Sequence, residues 1–269
     1  MLKKKLSMGG IALVAALALG FGGAVSAQAV PLSTPEVKHP SWAYQSEGTK
    51  ARAVSAQVTF KGDAPNDNLY YVPYRMTDYS GAEMLGYSRN KGVQSNNILR
   101  PYFDMNEYKV VPGKANKATI SVYQYTTPGK YKFKVPVTER RYNTTSWAYE
   151  NTTRTSATKY FTVKSTPKNS KKRTSFSGYS QRNGSFRMMV SAPDYQSGSA
   201  AVIYYKAKGA KSYKKVAASR LAAVSSSSRK TITVPASKKI RIGGYVKVKI
   251  GSVTYAPGYT TSSAKIVRY

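Results

Sequence analysis

Lysine and tyrosine recur together in this chain in a pattern that could do chemistry. They mix in Tyr204-Tyr205-Lys206-Ala207-Lys208, in Lys211-Ser212-Tyr213-Lys214-Lys215 and in Tyr245-Val246-Lys247-Val248-Lys249, with Lys238-Lys239-Ile240-Arg241 between them. An ammonium or guanidinium attracts phosphate, sulfate or carboxylate, and a phenol offers a flat apolar face with a polar tip. Together they suit an extended anion that also carries rings. The expected polymer contacts are Lys206, Lys208, Lys214, Lys215, Lys238, Lys239, Arg241, Lys247 and Lys249, with Tyr205 and Tyr245 as stacking platforms.

The rest of the inventory argues against catalysis. The single histidine, His39, precedes Pro40 in a stretch without apolar periodicity. A general base needs a pre-organised pocket within hydrogen-bond reach of its partner, which such a stretch does not provide. No cysteine is present, so neither a zinc-type metal site nor a disulfide is expected. Paired carboxylates are the remaining route, as in glycoside hydrolysis. Asp104 and Glu107 lie in the aromatic-flanked run from Tyr102 to Tyr108 and would be the pair of a wall-polymer hydrolase. Asp63 and Asp67, with Asn66 and Asn68, offer oxygen ligands of the kind calcium takes, although Asx residues in a turn explain the same string. No Gly-rich phosphate loop and no G-x-S-x-G or S-x-x-K motif in a suitable setting is visible. No cofactor is expected.

Charge sharpens the expectation. Lys plus Arg number 43 against 11 acids, a formal +32. Residues 165–269 hold 21 basic side chains and one acid, Asp194, against 18 and 8 in residues 50–164. Such a surface binds anionic polymers and repels cationic ones, and its binding should weaken steeply with salt. The expected partner is an anionic cell-wall polymer of the teichoic acid type, or a surface glycan. Nucleic acid or anionic lipid would bind non-specifically. No groove-entering element is visible, so specific DNA recognition is not expected.

The elements that must position these residues are strands. Residues 1–29 have the parts of a cleaved secretory signal: Lys3, Lys4 and Lys5, an apolar run from Ile11 to Phe21, and the small-x-small pattern Ala27-Gln28-Ala29, with Val25-Ser26-Ala27 as the alternative. Residues 30–52 are Pro/Ser-rich and read as a flexible arm. Beyond them, short β-type runs alternate with turn residues. In the run from Lys130 to Thr138, Tyr131, Phe133, Val135 and Val137 face one way and Lys132 and Lys134 the other. Residues 166–175 break the pattern and read as a basic linker. The resulting expectation is an all-β chain of two tandem antiparallel β-sandwich modules, 53–165 and 176–269.

The Pro128-Gly129-Lys130-Tyr131 turn, followed by that alternating strand, resembles the penultimate strand of bacterial immunoglobulin-like modules, with Tyr131 at the tyrosine-corner position. The second block, with Tyr204-Tyr205 early and Tyr245-x-Lys247-x-Lys249 late, resembles a fibronectin type III module. The resemblance implies β-sandwich modules, and the charge implies binding. The expectation is therefore a secreted, non-catalytic protein, retained non-covalently at the cell wall, that adheres to an anionic polymer through a cationic face. Two other readings stand beside it: a membrane-active protein, pore-forming or antimicrobial, and the hydrolase using Asp104 and Glu107.

Overall fold

The computed structural model describes residues 29–72, 82–85, 99–105, 110–224 and 227–267. The expected leader falls almost wholly in residues 1–28, outside the described residues, as does Glu107. Among the described residues, no helix is long and apolar enough to cross a membrane. The chain is all-β.

Residues 30–164 form three sheets around one core. Strands β1 (Glu36–Lys38), β3 (Arg52–Thr59), β7 (Asn116–Val122) and β6 (Tyr102–Met105) make the first, in the order β1-β3-β7-β6. The second runs β2 (Trp42–Tyr44), β11 (Lys159–Lys164), β8 (Gly129–Phe133), β5 (Ala82–Leu85). The third joins β10 (Ala148–Thr155), β9 (Pro136–Asn143) and β4 (Leu69–Val72). Strict alternation supplies the core: Ala118, Ile120 and Val122 from β7 meet Tyr131, Phe133, Phe161 and Val163 from the second sheet.

All four apolar residues of the Lys130–Thr138 run are buried, but they do not belong to one strand. β8 pairs with β11 and β5, whereas β9 pairs with β10 and β4. Pro136 stands at the break; it has no N–H for a ladder. The chain changes sheet there, and the Val135 amide donates to Ser156 Oγ at 2.9 Å instead. Tyr131 donates its hydroxyl to the Thr127 carbonyl at 2.5 Å, the backward contact of a tyrosine corner.

Residues 30–52 are not a free arm. β1 pairs antiparallel with β3, and β2 pairs parallel with β11. Each strand has three residues and sends one inward, Val37 and Ala43, while Leu32 is buried ahead of them. One inward residue per strand leaves no period to detect.

Residues 166–175, the expected basic linker, are not without structure. They contain helix α1 (Pro167–Lys172), with the Thr166 side chain capping the Asn169 amide and Pro167 at the first helical position. Six residues are too few to display a helical repeat. The helix and its flanks are tied into both halves of the chain by buried and part-buried polar contacts. Asn169 Nδ2 donates to the Ser46 carbonyl at 2.6 Å and lies 3.5 Å from Gln45 Oε1, and Gln45 in turn donates from Nε2 to the Thr126 carbonyl at 2.6 Å. On the other side, the Ser165 amide donates to the Tyr255 carbonyl at 2.8 Å, and Thr174 Oγ1 lies 2.5 Å from the Tyr259 hydroxyl.

The second sandwich packs a sheet of β12 (Ser175–Ser180), β13 (Phe186–Pro193), β17 (Ser227–Val234) and β16 (Ala222–Val224), in that order, against a second sheet. That sheet runs β15 (Lys214–Arg220), β14 (Ala200–Lys206), β18 (Tyr245–Ile250), β19 (Tyr259–Thr260), with β20 (Ala264–Lys265) also on β18. Met188, Val190, Ile232 and Val234 of one sheet meet Ile203, Tyr205, Val246 and Val248 of the other.

Asn169→Ala should cost about 1–3 kcal/mol, because it leaves the buried Ser46 carbonyl without its donor. Chemical denaturation checks this. Lys168→Ala, which removes only a solvent-exposed pair with Glu47, should leave the unfolding midpoint nearly unchanged.

Candidate polyanion-binding face

The outward side of the β15-β14-β18-β20 sheet collects the basic side chains. β14 sends Ala201, Ile203 and Tyr205 into the core and Val202, Tyr204 and Lys206 out. β18 sends Val246, Val248 and Ile250 in and Tyr245, Lys247 and Lys249 out. Register then decides which of these meet. Lys206 lies opposite Tyr245, Tyr204 opposite Lys247, and Val202 opposite Lys249. Lys265 lies opposite Tyr245 on its other side. On β15 a bulge at Val216 turns that residue inward and places Lys215 opposite Tyr204. Two rows result, Lys206–Tyr245–Lys265 and Lys215–Tyr204–Lys247, in which cations and rings alternate.

Tyr213, just before β15, ties the rows together. Its ring centroid is 4.2 Å from Lys247 Nζ and 5.4 Å from Lys206 Nζ, and its hydroxyl lies 2.6 Å from Ser263 Oγ. Lys206 Nζ is also 5.3 Å from the Tyr245 ring. The two ammonium groups are therefore no more than about 10 Å apart, one Debye length at 0.1 M salt. Cation–ring contacts are worth about 0.5–1 kcal/mol at exposed sites, and they position an ammonium without neutralising it. No Asp or Glu occurs between residues 195 and 269, so this sheet has no carboxylate side chain of its own. The sole acid of residues 165–269, Asp194, is buried, and its pKa is raised by loss of solvent.

The other expected contacts lie elsewhere. Lys214 stands opposite the inward Tyr205, on the other side of the sheet at its edge. Lys208 is exposed in the turn after β14. Lys238, Lys239 and Arg241 are exposed on the connection between β17 and β18, which begins with a short 3-10 turn (Ala236–Lys238) and has Lys239 in the left-handed region at φ 49°.

Tyr205 is not a stacking platform. It is only 8% exposed, and its hydroxyl accepts the Arg241 amide at 3.1 Å, fastening that connection to the core. A Cβ on Gly244 would come within 2.4 Å of the Tyr205 ring, so only glycine lets the chain pass there. Neighbours on a strand point to opposite faces, and with Lys206 outward the exposed tyrosine is Tyr204.

A second face of similar make-up lies on the β2-β11-β8 sheet. Lys164 Nζ sits 4.3 Å from the Trp42 ring, Lys130 Nζ sits 4.8 Å from the Tyr160 ring, and Trp42 packs edge-on to Tyr44 at 5.1 Å. Trp42 is 43% exposed and Tyr160 50%. The expectations missed this face because Trp42 and Tyr44 were assigned to the arm, although the Trp-x-Tyr spacing around Ala43 was a usable signal.

The candidate acids are arranged otherwise. Asp104 lies on β6 opposite Thr119. Asp63 gives one oxygen to Arg141 at 2.8 Å and the other to the Val30 amide at 2.7 Å, and these donors, the guanidinium foremost, hold its pKa below the usual value. Among the described residues, no group of three or more His, Cys, Asp or Glu is placed to hold a metal ion. His39 is half-buried against the Phe133 ring, with Nδ1 2.7 Å from the Pro40 carbonyl.

No family model and no curated sequence matches the chain. Among solved structures, bovine butyrophilin aligns over 88% of this chain and all of its own at 9% identity and a TM-score of 0.33. A protein of unknown function from Porphyromonas gingivalis aligns over 87% of this chain and all of its own at 6% identity and a TM-score of 0.26.

Uncompensated charge on the outward rows should make the fold salt-sensitive. Raising salt from about 0.01 to 0.1 M shortens the Debye length from about 30 to 10 Å and should raise the melting temperature. The rise should shrink in the Lys206→Gln/Lys247→Gln variant; thermal unfolding at the two salt concentrations tests it.

Proposed function

We propose that this is a secreted, non-catalytic protein that adheres to an anionic cell-wall polymer or surface glycan through the outward face of the β15-β14-β18-β20 sheet. The two rows of alternating lysine and tyrosine, on a sheet without a carboxylate side chain, carry the reading. A polyanion laid across the rows would relieve repulsion among Lys206, Lys215, Lys247 and Lys265 and release its own counterions. Tyr204, Tyr213 and Tyr245 offer rings between those charges, which suits a polymer bearing sugars as well as phosphate or carboxylate. The Trp42 and Tyr160 face adds a second surface of the same kind, so one polymer strand could be held at two places.

The modules are proposed to be immunoglobulin-like in the first half and fibronectin type III-like in the second. The Tyr131 corner contact and the mainly antiparallel sheets of the two modules support that assignment.

The membrane-active reading finds one supporting observation, Trp147, 80% exposed at the tip of the β9–β10 hairpin. The hairpin argues against insertion. Its strands have eight residues each, fewer than the ~9–11 a spanning strand needs. β10 carries Glu150, Asn151 and Arg154 and is exposed along its whole length.

Charge reversal at Lys206, Lys247 and Lys249 should lower retention on purified bacterial walls by about tenfold or more at low salt. It should also make the slope of log K against log salt shallower by roughly two to three. The melting temperature should not fall. Unchanged retention of a folded triple variant rejects the proposal, and dye release from anionic vesicles by the wild-type protein would favour the membrane reading instead.

A further inference from the structure

A small cluster in the first module is one positive charge short. Arg141 serves two carboxylates: its terminal nitrogen lies 2.8 Å from Asp63 Oδ2 and 3.2 Å from Glu139 Oε1, and its Nε donates to Glu139 Oε1 at 3.3 Å. Glu139 is mostly buried, and Tyr71, buried beside it, donates to the Asp63 carbonyl at 2.9 Å and lies 3.4 Å from Glu139 Oε2. The cluster is therefore two anions against one cation. The remaining Asp63 oxygen, Oδ1, is met at 2.7 Å by a backbone nitrogen, that of Val30.

Val30 is held there by its neighbours. Leu32 is buried in the core, the Ser33 amide donates to the Lys61 carbonyl at 2.9 Å, and the Lys61 amide donates to Ser33 Oγ at 2.7 Å. The sequence offers two leader-cleavage positions, after Ala27 and after Ala29. Cleavage after Ala27 would leave the new terminus two residues upstream, up to about 7 Å away along extended chain. Cleavage after Ala29 would leave it on Val30 itself.

We infer that the chain is cut between Ala29 and Val30 and that the α-ammonium released at Val30 seats on the Asp63 carboxylate, completing a two-anion, two-cation cluster with Glu139 and Arg141. The inference rests on the secretion reading and is independent of what the protein binds. The step is hydrolysis of one peptide bond by a leader peptidase. The oxygen of water joins the Ala29 carbonyl carbon, the C–N bond breaks, the leader departs with a carboxylate, and the Val30 nitrogen takes up protons to become –NH3⁺. One N–H becomes three beside the same oxygen, and the cluster passes from a net −1 to zero. An uncleaved chain, or one cut after Ala27, has a neutral amide in that place.

The test starts with the full chain secreted from a bacterial host and its N-terminal residue read by mass spectrometry. Val30 is expected; Gln28, or an intact leader, overturns the inference. Next, the rate at which an amine-selective acylating reagent modifies the Val30 α-amine is measured at pH 7. A seated ammonium resists losing its proton, so the rate should be about tenfold lower than in Asp63→Asn, one pKa unit being a factor of ten. Equal rates overturn the seat. Should Asp63→Asn fail to fold, a chain with Gly-Ser added before Val30 replaces it. Its displaced amine should react about tenfold faster than that of the native terminus, and equal rates again overturn the seat.

Discussion

Strand alternation, held in register across β14 and β18, is the constraint on which the cationic face depends. Each strand gives its odd or even positions to the core, so the remaining positions are exposed as a set. Ile203 and Val248 face each other inside, and that forces Tyr204 and Lys247 to face each other outside. A one-residue slip would drive lysines into the core and expose the apolar set, at a cost no surface contact could offset. The core thus enforces the order of the face.

That order has an electrostatic consequence. Lysines opposite one another on a sheet repel by tenths of a kcal/mol per pair. Here register interposes a tyrosine between them, as Tyr245 stands between Lys206 and Lys265 and Tyr204 between Lys215 and Lys247. The ring separates the charges and attracts each ammonium weakly, so the charge is tolerated without being cancelled. Carboxylates in the same places would stabilise the sheet and abolish its field. The bias of 23 tyrosines against 7 phenylalanines is intelligible on the same terms, because a ring on a wet face also needs a polar tip.

The all-β architecture was legible because its signal is local: period-two alternation from Lys130 and Tyr245, punctuated by turns. The sorting of the face was legible only in part. Lys247 and Lys249 follow from alternation alone, and counting back from an outward Lys206 would have chosen Tyr204 over Tyr205. Lys215 and Lys265 depend on a bulge and on which strands become neighbours, which are long-range facts without a local mark. Tyr213 reaches the face from outside any regular element, so no period announces it. The same limit explains β1, β2 and α1. Val37 and Ala43 are single inward residues on three-residue strands, and a six-residue helix shows less than two turns of repeat. The break at Pro136 was visible in the sequence, but the switch of sheets that it marks was not.

A chain without cysteine must fix the relation of its halves by other means, and α1 does so with amide and hydroxyl groups. Asn169 reaches back to Ser46, while Ser165 and Thr174 reach forward to Tyr255 and Tyr259. The Asn169 bond is buried and the others are at least partly so, and breaking the first strands a polar atom away from water, which makes the junction stiffer than its Lys- and Ser-rich sequence suggests. Stiffness matters for two weak faces. On the proposed function, a polymer held at Lys206 and Lys247 would meet Trp42 and Lys164 at an effective concentration set by the spread of distances between them. A flexible tether would dilute that second encounter, whereas a docked helix keeps it within a narrow range. On that proposed function the polar interlock bears on avidity as well as on stability.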